Sequence, residues 1–256
     1  MRIVVKIGTS TLAHPSGHLN IRRVETLCKI MSDIKNAGHE VILVSSGAIG
    51  MGVGKLGLRQ RPTDIPSKQA AAAVGQCELM YTYDKLFGEY HHTVAQLLIT
   101  KDDTVNAKRR SNFINTLNRL LELGVLPIIN ENDTIATDEI VIGDNDTLGA
   151  IVAQSVQAEL LILLSDIDGL YTADPHKDEN ALLLHQVDEI NDEILSLAGV
   201  SSTTQGTGGM VTKLHAAEIC LASGCEMVIA NGNRPENLYD ILDGEAVGTR
   251  FGRKIQ

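Results

Sequence analysis

Two lysines and an acidic cluster frame the chemistry open to this 256-residue chain. Lys6 closes the apolar run Ile3-Val4-Val5 and stands just ahead of Gly8-Thr9-Ser10, whereas Lys213 follows the glycine-rich run Gln205-Gly206-Thr207-Gly208-Gly209-Met210-Val211-Thr212. A lysine in a strand is usually a solvated edge residue, but one at a strand end beside a glycine turn can place its ammonium over a phosphate. Glycines leading into a helix offer backbone N–H groups at its positive end. Between the two lysines lie Asn130, Glu131, Asn132 and Asp133, then Asp144, Asn145 and Asp146. Carboxylates and amides crowded in this way disfavour regular structure. A polar hairpin with Asx turns would account for either cluster alone; two of them flanking residues 138–142, with Gly143 ahead of the second, point to a ligand. A multiply charged anion that also reacts would use all of these groups, which are the equipment of phosphoryl transfer: cations on the transferring oxygens, N–H cradles on the phosphates, and a carboxylate to orient lysines or a metal. Mg²⁺ would be held by oxygen ligands and its own waters.

These residues need strands that end together. Residues 3–7, 40–44, 94–99, 126–130, 160–164 and 226–230 are short, branched and apolar, and read as buried strands. Helical periodicity predicts helices over 21–37, 67–87 with Ser67 as cap, 104–123, 147–157, 210–222 and 235–242. The βαβ alternation predicts an α/β fold with a mostly parallel sheet and helices on both faces, where ligands bind beyond the carboxyl ends of strands. Ser46 and Gly47, small residues just past the second strand, can let backbone N–H groups approach an anion. Gly52-Val53-Gly54-Lys55-Leu56-Gly57 spells a dinucleotide fingerprint, but Ser45 to Met51 separate it from the strand it should follow, so it is read as a flexible glycine-rich flap. The glycine loop before Lys213 is not a Walker A loop, because Leu214 follows the lysine.

Composition narrows the classes further. At 43% apolar and 21% charged residues the chain is that of an ordinary globular protein, which argues against disorder. A net charge of −10 argues against a nucleic-acid surface. The opening apolar run stops at Lys6, too short for a signal-peptide core, and no run reaches membrane-span length, so a cytoplasmic protein without a membrane partner is expected. Cys28, Cys77, Cys220 and Cys225 lack metal or redox spacing and are expected to be reduced. His14 and His18, like His91 and His92, lack the setting of a metal site. No convincing general base is evident. An alcohol acceptor usually requires one, whereas a carboxylate, with a pKa of about 4, is already an ionised nucleophile at neutral pH. If that acceptor is an amino acid, Asp133 and its neighbours can pair with its ammonium.

The segments 4–10 (VVKIGTS), 45–49 (SSGAI), 68–70 (KQA), 73–76 (AVGQ), 127–133 (PIINEND), 143–146 (GDND), 169–175 (GLYTADP) and 206–213 (GTGGMVTK) together resemble the amino acid kinase family, collinearly over about 3–251. Asn-Glu-Asn-Asp with Gly-Asp-Asn-Asp resembles its glutamate-phosphorylating branch. The resemblance implies a three-layer αβα sandwich forming one domain over 1–256, acceptor in the N-terminal half and ATP in the C-terminal half. It implies ATP-dependent phosphorylation of the glutamate side-chain carboxylate, the first step of proline synthesis, with Mg²⁺. Lys6 and Lys213 resemble the lysines on the transferring phosphoryl group and Asp146 the aspartate that organises them. Ser46, Asp133 and Asn145 match glutamate-binding positions, with Gly47, Asn130 and Asp144 in the same site. Lys6, Gly8, Ser165, Asp166 and Thr207, Gly208, Gly209, Met210, Val211, Thr212 and Lys213 match nucleotide-binding positions. A homo-oligomer, dimer or tetramer, and hand-off of product to glutamate-5-semialdehyde dehydrogenase are likewise implied. Many members of that branch continue into a C-terminal PUA domain, whereas this sequence ends soon after Phe251. Some carry a lysine where this chain has Val141 and Ile142. Family members with other acceptors, such as aspartate, acetylglutamate or a nucleoside monophosphate, and a non-catalytic sensor of amino acid or ATP are the rival readings.

Overall fold

The computed structural model describes residues 1–14, 18–135, 144–175, 177–198 and 209–252. In chain order the elements are β1 (Arg2–Ile7), α1 (Thr9–Leu12), α2 (Ile21–Asn36), β2 (Glu40–Ser45), α3 (Ala48–Lys55), α4 (Ile65–Gly88), β3 (Val94–Ile99), α5 (Lys101–Val105), α6 (Ala107–Glu122), β4 (Leu126–Glu131), α7 (Asn145–Ser155), β5 (Leu160–Ser165), β6 (Gln186–Val187), α8 (Asp192–Ala198), α9 (Met210–Ala222), β7 (Glu226–Asn231), α10 (Asn237–Leu242) and β8 (Thr249–Phe251). They build one eight-stranded sheet of order β3-β4-β2-β1-β5-β7-β8-β6. Its pairs are parallel except β7 with β8.

A strand as apolar as β1 has to be covered on both faces. Ile3, Val5 and Ile7 enter a cluster with Leu27 and Met31 of α2, Leu79, Tyr83 and Phe87 of α4, and Leu238 of α10. Val4 enters the opposite cluster, with Leu117 of α6, Leu148 and Val152 of α7, and Leu214 and Cys220 of α9. The result is the expected αβα sandwich. Because β1 lies between β2 and β5, and the chain reaches β5 only after leaving β4 on the other flank, the strand order reverses at β1. Such a switch point opens a crevice at the carboxyl ends. Among the described residues no helix is long and apolar enough to cross a membrane.

Several local expectations change. Asp64, rather than Ser67, caps α4, accepting from the Ser67 N–H at 2.9 Å. The single helix expected over 104–123 is two, because the Asn106 side chain caps α6 by accepting from the Lys108 and Arg109 N–H groups and so breaks the run. The expected flap is the helix α3. Its glycines serve contact rather than flexibility: a Cβ on Gly52 would lie 1.8 Å from the Ala71 carbonyl oxygen, and one on Gly75 1.8 Å from that of Ala48. Helices α3 and α4 thus touch backbone to backbone. The four cysteines are free thiols.

Gly75→Ala should lower stability by about 3 kcal/mol, since the added methyl must push two backbones apart. Urea unfolding checks this, and a midpoint equal to that of the parent protein would contradict the contact.

Candidate active site

Alternation along β1 sends Lys6 to the face shared by Val4, toward α7 and α9. Helix α7 starts at Asn145 because the Asp144 carboxylate caps it, accepting from the Thr147 N–H at 2.8 Å and the Thr147 hydroxyl at 2.9 Å. Asp146 therefore sits in the first turn. Its Oδ1 is 2.6 Å from Lys6 Nζ, and its Oδ2 accepts from Lys213 Nζ at 2.9 Å. The Thr212 hydroxyl lies 3.1 Å from the same Oδ2 and 2.8 Å from the Gly209 carbonyl oxygen, sharing its one proton between them. All three charged groups are buried, Asp146 at 1%, Lys213 at 4% and Lys6 at 8% exposure. Burial alone would raise the Asp146 pKa; the Lys6 and Lys213 ammonium groups outweigh it and hold the carboxyl down at about 2. Two cations thus share one carboxylate among the described residues, next to Gly8, the N-cap of α1.

The acceptor-side residues gather on the other flank. Asn145 Nδ2 donates to Ser46 Oγ at 2.7 Å, to Asn130 Oδ1 at 3.1 Å and to the Ser45 carbonyl at 3.3 Å. Gly47 caps α3 at φ 102°, a left-handed conformation that lets the chain turn sharply from β2 into the helix. Asp133, half-buried past the end of β4, has its carboxyl pushed up by burial, an effect the nearby Arg61 partly offsets.

At the positions expected from the sequence to bind nucleotide, Ser165 Oγ donates to Asp166 Oδ1 at 3.2 Å at the end of β5. Gly209 is the N-cap of α9, with Thr212 and Lys213 in its first turn. Met210 is buried in the core and Val211 exposed, so at those two positions the backbone is what a phosphate would meet. Thr207 and Gly208 lie outside the described residues, as do Gly143, Val141 and Ile142. Sequence reasoning gave no role to Gln76, whose Oε1 accepts from Asn130 Nδ2 at 3.0 Å, or to Tyr83, whose hydroxyl is 2.9 Å from Ser45 Oγ. The available signal was a glutamine on the same helical face as Ala72, Leu79 and Tyr83, where an apolar residue would be expected.

The amino acid kinase family matches residues 1–231. The chain is 54% identical to the glutamate 5-kinase of Clostridium perfringens, over 99% of this chain and 96% of that protein. It is 52% identical to the glutamate 5-kinase of Listeria welshimeri, over 99% and 93% of the two. Its fold superposes on carbamate kinase from Giardia lamblia bound to AMP-PNP with a TM-score of 0.70 at 17% identity, covering 99% of this chain and 98% of that one.

Asp146→Asn should destabilise the protein by about 3–5 kcal/mol at pH 7, because two buried ammonium groups lose their common partner. The folded pKa lies below the ordinary 3.8, so the stabilisation is present above about pH 4 and lost as pH falls toward 2. The gap between parent and variant in chemical unfolding should therefore narrow over that window; a constant gap would contradict the assignment.

Proposed function

The chain belongs to the amino acid kinase family, and we propose that it transfers the γ-phosphoryl group of ATP to the side-chain carboxylate of L-glutamate, giving L-glutamyl 5-phosphate and ADP. The observation that carries this reading is the Lys6–Asp146–Lys213 cluster beside the Ser46–Asn130–Asn145 amide group. High identity to glutamate 5-kinases over nearly the whole chain supports glutamate as the acceptor.

The ionised side-chain carboxylate of glutamate attacks the γ-phosphorus. The new bond is O–P, the bond from that phosphorus to the β,γ-bridging oxygen breaks, and ADP leaves with its electron pair. No proton has to be removed from the nucleophile, which agrees with the lack of an evident base. Lys6 and Lys213 neutralise charge on the transferring oxygens, and Asp146 fixes both ammonium groups beforehand so that little reorganisation accompanies reaction. The N-terminus of α9 at Gly209 faces the phosphates with its N–H groups, and Ser165 and Asp166 border the nucleoside. Asp133 and the Asn145 carbonyl pair with the amino acid's ammonium.

Among the described residues no group of three or more His, Cys, Asp or Glu is placed to hold a metal, and both Asp146 oxygens are engaged by lysines. These residues fit Mg²⁺ held through the nucleotide's phosphates and its own waters. When bound there it adds charge neutralisation to the phosphates. The product is an acyl phosphate prone to hydrolysis, so hand-off to a dehydrogenase in the same cytoplasmic compartment, from a dimer or tetramer, completes the reading.

Incubation with Mg-ATP, L-glutamate and hydroxylamine should give ADP and glutamyl hydroxamate. Asp133→Ala should raise the glutamate KM about tenfold or more with little change in the ATP KM. Hydroxamate formed only from aspartate or acetylglutamate, or ADP formed only with another acceptor, would overturn the choice of substrate; ATP binding without ADP would favour the sensor.

A further inference from the structure

A chain of amides, buried at Asn130 and Gln76, leads away from the acceptor site, and its polarity is fixed from one end. The Glu131 backbone N–H can only donate, and it points at Asn130 Oδ1 at 2.9 Å, which identifies that atom as the oxygen. The other end of the Asn130 amide is then Nδ2, and it donates to Gln76 Oε1 at 3.0 Å. Gln76 Nε2 is left to donate to Gln96 Oε1 at 3.2 Å on the edge strand β3. On the site side, Asn130 Oδ1 and the Ser45 carbonyl are both acceptors, so the Asn145 group facing them is Nδ2. With both Nδ2 protons committed to protein acceptors, Asn145 Oδ1 is the atom left to accept from a ligand, and no donor among the described residues reaches it.

We propose that Gln76 is a positioning residue for the acceptor site: it holds Asn130 where its Oδ1 keeps Asn145 Nδ2 turned toward the protein and the Asn145 carbonyl toward the substrate, and so favours an acceptor bearing an ammonium group. Gln76 is 7% exposed and Asn130 2%, so water does not readily replace either partner. Removing the Gln76 carbonyl strands the buried Asn130 Nδ2, and because the Glu131 N–H still claims Oδ1 the amide does not simply turn; Asn130 shifts to find another acceptor. That shift carries Oδ1 out of line with Asn145 Nδ2, and Asn145 loses one of the acceptors that keep its carbonyl turned toward the substrate. Helix α4 is built to hold this position. Gly75, the adjacent residue, sets its depth against α3, and Tyr83, two turns on along the same face, braces Ser45 at the end of β2.

The inference rests on glutamate as the acceptor, and the experiment separates the two. Wild-type protein is first assayed for glutamyl hydroxamate; none would overturn both. Steady-state kinetics follow on Gln76→Met, which removes the acceptor, Gln76→Asn, which shortens it by one methylene in case the first variant does not fold, and Gln76→Glu, which still accepts from Asn130. Met and Asn should raise the glutamate KM on the order of tenfold or more, leaving the ATP KM within about twofold, and Glu should restore most of the glutamate affinity. A role confined to helix stability would move both KM values together and would not be rescued by Glu. Parallel changes in both KM values, an unmoved glutamate KM, or a Glu variant as impaired as Met would overturn the proposal.

Discussion

A single carboxylate held between two ammonium groups is the constraint on which the molecule depends. Lys6 and Lys213 come from opposite ends of the chain, and each is buried. Without Asp146 their mutual repulsion and desolvation would expel at least one of them. With it, the carboxyl end of β1 and the first turns of α7 and α9 are fixed to a common point within 2.9 Å. In the proposed reaction, substrate phosphate would meet charge already in place, which is what lets electrostatic stabilisation lower a barrier rather than merely bind.

The rest of the fold supplies the conditions for that contact. Full burial of β1 between two apolar layers makes the direction of Lys6 a consequence of strand alternation rather than of local choice. Capping by Asp144 decides where α7 begins, and hence that Asn145 and Asp146 fall in the same first turn with their side chains going to different partners. Asn145 joins the amides of β2 and β4, while Asp146 joins the lysines. One helix start thereby registers the amide group against the lysine cluster, and in the proposed reaction a single turn of backbone would align acceptor and phosphoryl group.

Much of this was legible in the sequence because it is local. Six strands announced themselves as short branched apolar runs, and α9 occupies the same residues, 210–222, that periodicity gave it. The two lysines and the acidic stretch were legible only in combination, and the resemblance singled out Asp146; that both lysines meet this one carboxylate is what the fold adds. Strands β6 and β8 were not, because two or three residues, with Gln186 and Arg250 among them, carry no apolar run to detect. Helix α3 was misread as a flap because its glycines express close contact with α4, a property of tertiary packing that single-chain propensity assigns to flexibility. Gln76 lay within a segment that carried the resemblance, but its role was not legible, because its partner Asn130 is 54 positions away and only the fold brings the two amides together.

The central claim is that Lys6, Asp146 and Lys213 act as one unit, and a double-mutant cycle in single-turnover phosphoryl transfer tests it most directly. If Asp146 couples the two lysines, Lys6→Met and Lys213→Met should each cost nearly as much as the double variant, because either change disorders the site the other needs. If the two losses instead multiply in the double variant, the lysines act independently, and the account of a shared carboxylate as the organising contact would be wrong.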